Sequence, residues 1–181
     1  MGDLDSVRAD VRAFYGGALS VPVVDLGADQ DTTDLVKCLQ YAAGREGVPA
    51  SAPRVALGAL GGRLDHTLAA LSLLFSPAHA STLVLVGDGC VARRVPAGVT
   101  TLTPVAGVEG PACGLVALSA APVPVTTTGL AWNLNGGAAA GGQGLALGGL
   151  QSTSNAVVGE NVTVESGGDL LWTTTLRGED A

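Results

Sequence analysis

Apolar positions along the first half of the chain recur at two different spacings. Leu35, Cys38, Leu39 and Ala42 stand three and four apart, which places them on one face of a helix, and Thr32 or Thr33 supplies an oxygen to open it. Ser6 opens an earlier predicted helix in the same way, through about Tyr15. Residues 20–24 and 55–57 are short β-prone runs. The second of them enters a glycine turn at 58–62, followed by a predicted helix over about 65–75 and a strand at 82–86. Strand, turn, helix and strand in that order predict a parallel α/β sheet.

Beyond about Gly87 the pattern changes to β-branched runs broken by glycine and proline, at 99–102, 114–118, 123–128, 161–165 and 170–176. Closely spaced strands with turn residues between them predict an antiparallel sandwich or barrel-like unit. Pro122 and Pro124 flank Val123 and assign that run to a sheet edge, because proline cannot donate to a ladder. The stretch NGGAAAGGQG at 135–144 reads as a low-complexity surface loop. A boundary falls in 88–98, giving an α/β domain over 1–92 and an all-β domain over 93–181.

Charge narrows the functional classes. Nine basic and 16 acidic side chains give a net charge of −7 in 181 residues, which repels a nucleic-acid phosphate surface. Asp3, Asp5, Asp10, Asp25, Asp29, Asp31 and Asp34 crowd the start of the chain. Cys38, Cys90 and Cys113 are far apart, with neither zinc spacing nor the density of a disulfide scaffold, so a reducing compartment is expected. No run approaches the roughly 18 apolar residues of a membrane span, and Asp3 and Asp5 stand where a signal peptide is basic and then apolar. A soluble cytoplasmic protein without nucleic-acid or membrane partners is the expectation.

Three segments offer chemistry. Gly2-Asp3-Leu4-Asp5-Ser6 puts two carboxylates in a turn before a helix, where they either converge on a hard cation such as Mg²⁺ or merely cap the helix. Asp29-Gln30-Asp31-Thr32-Thr33-Asp34 repeats the arrangement, with more carboxylates than capping requires. Residues 58–66 (GALGGRLDH) form a glycine turn ahead of a helix, a setting in which backbone N–H groups hold phosphate. Arg63 adds a bidentate donor there and Asp65 a carboxylate, whereas His66 reads as a surface histidine. Lys37, the only lysine, reads as half of a surface ion pair. In the β region Trp132 and the polar run Gln151-Ser152-Thr153-Ser154-Asn155 make either a slot for a heteroaromatic ligand or a core tryptophan and a hairpin turn.

In this order the segments GDLDS (2–6), DQDTTDLVKCL (29–39), LGALGGRLDH (57–66), TTTGLAWNL (126–134), STSN (152–155) and VTVESGGDLLWT (162–173) resemble the thiamin pyrophosphokinase family, in its eukaryotic branch. The resemblance implies a parallel, Rossmann-like α/β nucleotide-binding domain followed by a β-sandwich thiamine-binding domain, in a homodimer. It implies Mg²⁺-dependent transfer of pyrophosphate from ATP to the thiamine hydroxyl, releasing AMP. By motif position Asp3, Asp5, Asp34 and Asp65 become the catalytic and metal-organising carboxylates, with Gln30, Gly62 and Arg63 at the nucleotide. Ser152, Ser154 and Asn155 become the thiamine contacts, with Trp132 beside them.

Two departures from the family pattern shape the expectations. Family members carry several tens of residues before GDxDS, including a first strand and an Asp-Gly-Gly turn, whereas here Met1 adjoins Gly2. The alternative is therefore a truncated homologue that binds thiamine, or only dimerises, without turnover. The loop at 135–144 is also longer than the family's turn and is expected to be tolerated. A third, unrelated reading is a glycine-rich β scaffold whose acidic turns bind Ca²⁺.

Overall fold

The structure, a computed structural model, describes residues 31–49, 51–80, 82–136 and 144–177. The chain divides after Ala42 into two separately compact units. The first is described through helix α1 (Asp34–Ala43), which starts where the sequence predicts it. Thr33 caps it: its Oγ1 accepts from the Val36 N–H at 3.4 Å, and its carbonyl accepts from Lys37 N–H at 3.1 Å. Leu39 is buried, and Lys37 forms the expected ion pair, with Asp34 at 3.8 Å, although its own side chain is largely covered. The helix and strand expected at 6–15 and 20–24 lie outside the described residues.

In the second unit β1 (Arg54–Leu57) leads through the glycine turn to α2 (Leu64–Leu73) and on to β2 (Leu83–Gly87), which pairs parallel with β1. Among the described strands this is the one parallel pair. Asp88 and Gly89, with φ of 47° and 70°, close a tight hairpin into β3 (Cys90–Val95), which runs antiparallel to β2. The parallel α/β sheet read from the sequence is thus mixed, because the chain turns back immediately after β2 instead of crossing over through a second helix.

The remaining strands are β4 (Gly98–Leu102), β5 (Glu109–Val116), β6 (Val125–Thr128), β7 (Ser152–Ala156), β8 (Val162–Ser166) and β9 (Leu170–Leu176). They complete a six-stranded sheet in the order β1-β2-β3-β9-β5-β7 and form a three-stranded antiparallel sheet in the order β4-β8-β6. β6 is an edge strand, as the prolines before it indicate. Residue 92, where the sequence divides the chain, lies within β3.

Side chains from both sheets interdigitate in one core, with Leu115, Ala117, Val162, Val164, Leu170 and Trp172 essentially solvent-free. Each large apolar side chain so buried contributes about 1.5–3 kcal/mol of transfer free energy. Asp169 ties together two of the passages between the sheets, β3 to β4 and β8 to β9. Its carboxylate accepts two bonds from Arg94, each 2.9 Å, at the end of β3, and one from Ala97 N–H at 3.1 Å on the way to β4.

Glu109 is the one buried carboxylate among the described residues, at 5% exposure. Burial pushes its carboxyl up. The hydroxyl of Thr174, the Arg93 guanidinium at 2.5 Å and the Val105 N–H at 3.1 Å together outweigh that and hold it below its ordinary value. A carboxylate whose folded-state pKa is depressed stabilises the fold above its unfolded value and loses that contribution as pH falls. Urea unfolding of the wild type should therefore lose stability as pH falls below about 4.5, whereas Glu109→Gln should be less stable at neutral pH and show a flatter acid profile. Equal pH slopes for the two proteins would remove Glu109 from this account.

Candidate functional site

Two regions of the second unit combine exposed polar groups with unusual backbone. The first is the turn between β1 and α2. Gly58, Gly61 and Gly62 have φ of 71°, 95° and 66°, values open to glycine at little cost. The turn is pressed against the β2–β3 hairpin: the Ala59 N–H donates to the Val86 carbonyl at 3.1 Å, and a Cβ at Gly87 would come within 2.6 Å of the Leu60 carbonyl oxygen. Asp88 lies against Gly61, where an added Cβ would sit 2.9 Å from the Asp88 Cβ. Sequence reasoning does not single out Asp88; its Asp-Gly hairpin pattern was the available signal.

Helix α2 starts from this turn without a side-chain cap, since Arg63 at the cap position makes no such bond. Its first turn is exposed beside a glycine turn, the arrangement that receives anions. Arg63 and Asp65 are both exposed and joined in a bidentate pair, Nε to Oδ1 at 3.1 Å and a terminal nitrogen to Oδ2 at 2.5 Å. The hydrogen bond from Arg63, with its charge, holds the Asp65 carboxyl below its usual range, and the same bond raises Arg63. Thr67 ties the helix to the turn through its hydroxyl bond to the Gly61 carbonyl at 3.1 Å. His66 is exposed, as read from the sequence.

The second region is a cleft of about 280 Å³ lined by Trp132, Asn133, Leu134, Gln151, Ser152, Thr153, Ser154 and Asn155. The polar run that the sequence leaves open between a slot and a hairpin turn is strand β7. It carries a bulge: Cys113 faces Asn155 and Leu115 faces Ser152, so one extra β7 residue must be absorbed there, and Ser154 takes a φ of 57°. A serine in that left-handed region is uncommon and marks a locally strained backbone.

Trp132 stands 66% exposed on a loop wired by its own motif. The Asn133 side-chain oxygen accepts from Leu130 N–H at 3.1 Å, and the Thr127 hydroxyl accepts from Leu134 N–H at 2.8 Å. Asn155 reaches across from β7, accepting from the Trp132 N–H at 3.1 Å and donating to the Trp132 carbonyl at 2.7 Å. The structure therefore brings together Trp132, Ser152, Ser154 and Asn155, and separately Gly62, Arg63 and Asp65. Asp34 sits fully exposed in the first turn of α1, and Asp3, Asp5 and Gln30 lie outside the described residues. Among the described residues no three His, Cys, Asp or Glu side chains gather as a metal cage, and no helix is long and apolar enough to cross a membrane.

Comparison with known proteins separates the chain along the same lines. Residues 1–86 match the family model for the thiamin pyrophosphokinase catalytic domain, and residues 100–171 match the model for its vitamin B1 binding domain. The chain belongs to the thiamin pyrophosphokinase family. Thiamine pyrophosphokinase 3 of Oryza sativa subsp. japonica is 39% identical over 97% of this chain, and thiamine pyrophosphokinase 1 of Arabidopsis thaliana is 38% identical over the same share. The chain spans 65% and 64% of the length of these two relatives. Among solved structures, the thiamin pyrophosphokinase family protein of Enterococcus faecalis superposes with a TM-score of 0.75 at 21% identity, covering 97% of this chain and 78% of its own. Thiamine pyrophosphokinase of Bacillus subtilis gives 0.72 at 21%, covering 98% and 78%. These likenesses give the family's two-domain architecture.

Proposed function

We propose that this chain is a thiamine diphosphokinase that transfers the pyrophosphoryl group of ATP to the hydroxyethyl oxygen of thiamine and releases AMP. One observation carries the reading. The uncapped helix start with Arg63 and Asp65 falls in the part that matches a catalytic domain, and the cleft with Trp132 falls in the part that matches a vitamin B1 binding domain. Residues 1–92 would then act on ATP, within a parallel, Rossmann-like layer to which β1, α2 and β2 belong, and residues 93–181 would hold thiamine.

The chemistry is positioning and charge neutralisation. Gly62 and the first N–H groups of α2 would receive phosphate oxygens, with Gln30 also at the nucleotide. Arg63 would exchange its carboxylate partner for a phosphate in the same forked geometry. The thiamine oxygen attacks the β-phosphorus, the bond from that phosphorus to the α,β-bridging oxygen breaks, and the hydroxyl proton passes to an aspartate carboxylate. In the cleft the Trp132 ring would flank the pyrimidine or thiazolium ring, with Ser152, Ser154 and Asn155 as its polar neighbours.

The donor chemistry fits Mg²⁺ better than a closed Ca²⁺ cage. Asp65 offers hard, exposed oxygens beside an anion-receiving turn, and Mg²⁺ is commonly held by one or two carboxylates with waters and substrate phosphates. Asp3, Asp5, Asp34 and Asp65 would hold it, and its charge would offset that of the polyphosphate. A homodimer is part of the proposal, as is a cytoplasmic setting, which the three free cysteines support.

The deciding experiment is AMP release from the purified chain with thiamine, ATP and Mg²⁺, beside a control without thiamine. Thiamine-dependent AMP is the expected result. A folded chain that binds thiamine and yields no AMP would instead establish a non-catalytic homologue.

A further inference from the structure

We propose that Asn155 is a positioning residue which holds Trp132 in place for the ring of the bound vitamin and does not itself touch that ring. The proposal rests on the cleft being the thiamine site. Its first support is a count of hydrogen-bonding capacity. A side-chain amide has two N–H donors and two acceptor lone pairs. The Asn155 oxygen accepts from the Trp132 N–H at 3.1 Å and from the Ala156 N–H at 2.8 Å. Its nitrogen donates to the Trp132 carbonyl at 2.7 Å and to the Ser152 hydroxyl at 3.5 Å. All four positions are occupied within the protein, and the residue is only 5% exposed. The orientation of the amide follows from its partners, because one backbone N–H and one carbonyl of the same residue can be met only one way round.

The second support is where the clamp acts. Both bonds to Trp132 go to its backbone, so they fix the Cα while leaving the residue 66% exposed at the cleft it lines. A fixed backbone leaves only the two side-chain dihedrals of tryptophan for binding to order. The Trp132 loop is also tied to β7 by the Ala131 N–H, which donates to the Ala156 carbonyl at 2.8 Å. Thiamine would then meet the indole face and the exposed Thr153 and Ser154 of the bulge, with Asn155 behind them.

The test is a double-mutant cycle on the whole chain, with thiamine affinity measured by calorimetry for wild type, Asn155→Ala, Trp132→Ala and the double variant. Loss of the clamp should weaken binding about tenfold, the scale of a hydrogen bond or two. The double variant should bind no more weakly than Trp132→Ala alone. If Asn155→Ala costs the same factor when Trp132 is already absent, Asn155 contacts the vitamin directly and the proposal falls. Amide hydrogen exchange of Trp132 tests the clamp without any vitamin: it should quicken in Asn155→Ala, and unchanged protection would also overturn the proposal. Wild type that takes up no thiamine would reject the proposed activity, and the exchange result would still decide the clamp. Asn155→Ser serves if the alanine variant does not fold.

Discussion

Asp65→Asn is expected to fold normally and to lose on the order of 10²–10³-fold in the turnover number for thiamine-dependent AMP release, the scale seen when one charge-stabilising group is removed from an active site. The side chain is exposed, so the near-isosteric amide removes no buried contact, and the ion pair with Arg63 that it breaks lies in solvent, where such pairs contribute little. What disappears is a full negative charge at the start of α2, beside an anion-receiving turn. An amide cannot bring a cation to the phosphates, nor accept a proton. Turnover should be measured at saturating ATP and Mg²⁺, with thermal unfolding run alongside. A variant that turns over like wild type would remove Asp65 from the proposed chemistry, and one that unfolds early would show that its role is structural.

Gly129→Ala is expected to destabilise the second unit by about 3 kcal/mol or more, the range of forced backbone rearrangements. A Cβ there would stand 2.2 Å from the Asn161 carbonyl oxygen, and φ is +84°, which alanine adopts only under strain. Backbone, unlike the end of a long side chain, cannot swing aside. The Gly129 carbonyl accepts from both Val158 and Gly159 N–H groups, so any shift also carries the Trp132 loop away from the chain that follows β7. Urea unfolding should show the loss, and thiamine affinity should fall with it. An unchanged unfolding midpoint would mean that the loop relaxes freely.

Much of the secondary structure was legible because it follows local periodicity. Helices α1 and α2 and strands β1, β2, β4, β8 and β9 occur within a residue or two of their predicted places. Strand β5 starts earlier than the run at 114–118, since Glu109, Gly110 and Pro111 carry no β pattern of their own. Strands β3 and β7 escaped detection for separate physical reasons. Arg93 and Arg94 are adjacent in β3, which breaks the alternation a half-buried strand would show; Arg93 is accommodated by the buried Glu109 and Arg94 by Asp169. β7 is polar in four of its five residues and bulged, so neither composition nor period marks it.

The site was legible as motifs and less so as roles. In TTTGLAWNL most positions serve the loop itself: Thr127 and Asn133 bond its backbone, Gly129 permits a close approach and Leu130 is buried. Trp132 is the large apolar side chain of the motif left facing outward, a distinction no spacing could make. The Arg63–Asp65 pair likewise depends on a turn geometry that the letters GGRLD do not specify.

The position of β9 in the sheet bears on how the molecule is made. This strand lies between β3 and β5 and is hydrogen-bonded to both, so the two halves of the sheet are joined by a strand synthesised after all the other described strands. While residues 170–176 remain in the ribosomal tunnel, β3 and β5 each present an unpaired edge to whatever is nearby. A premature stop codon between Ala156 and Leu170 would leave two open edges in a polypeptide that already carried every residue lining the cleft.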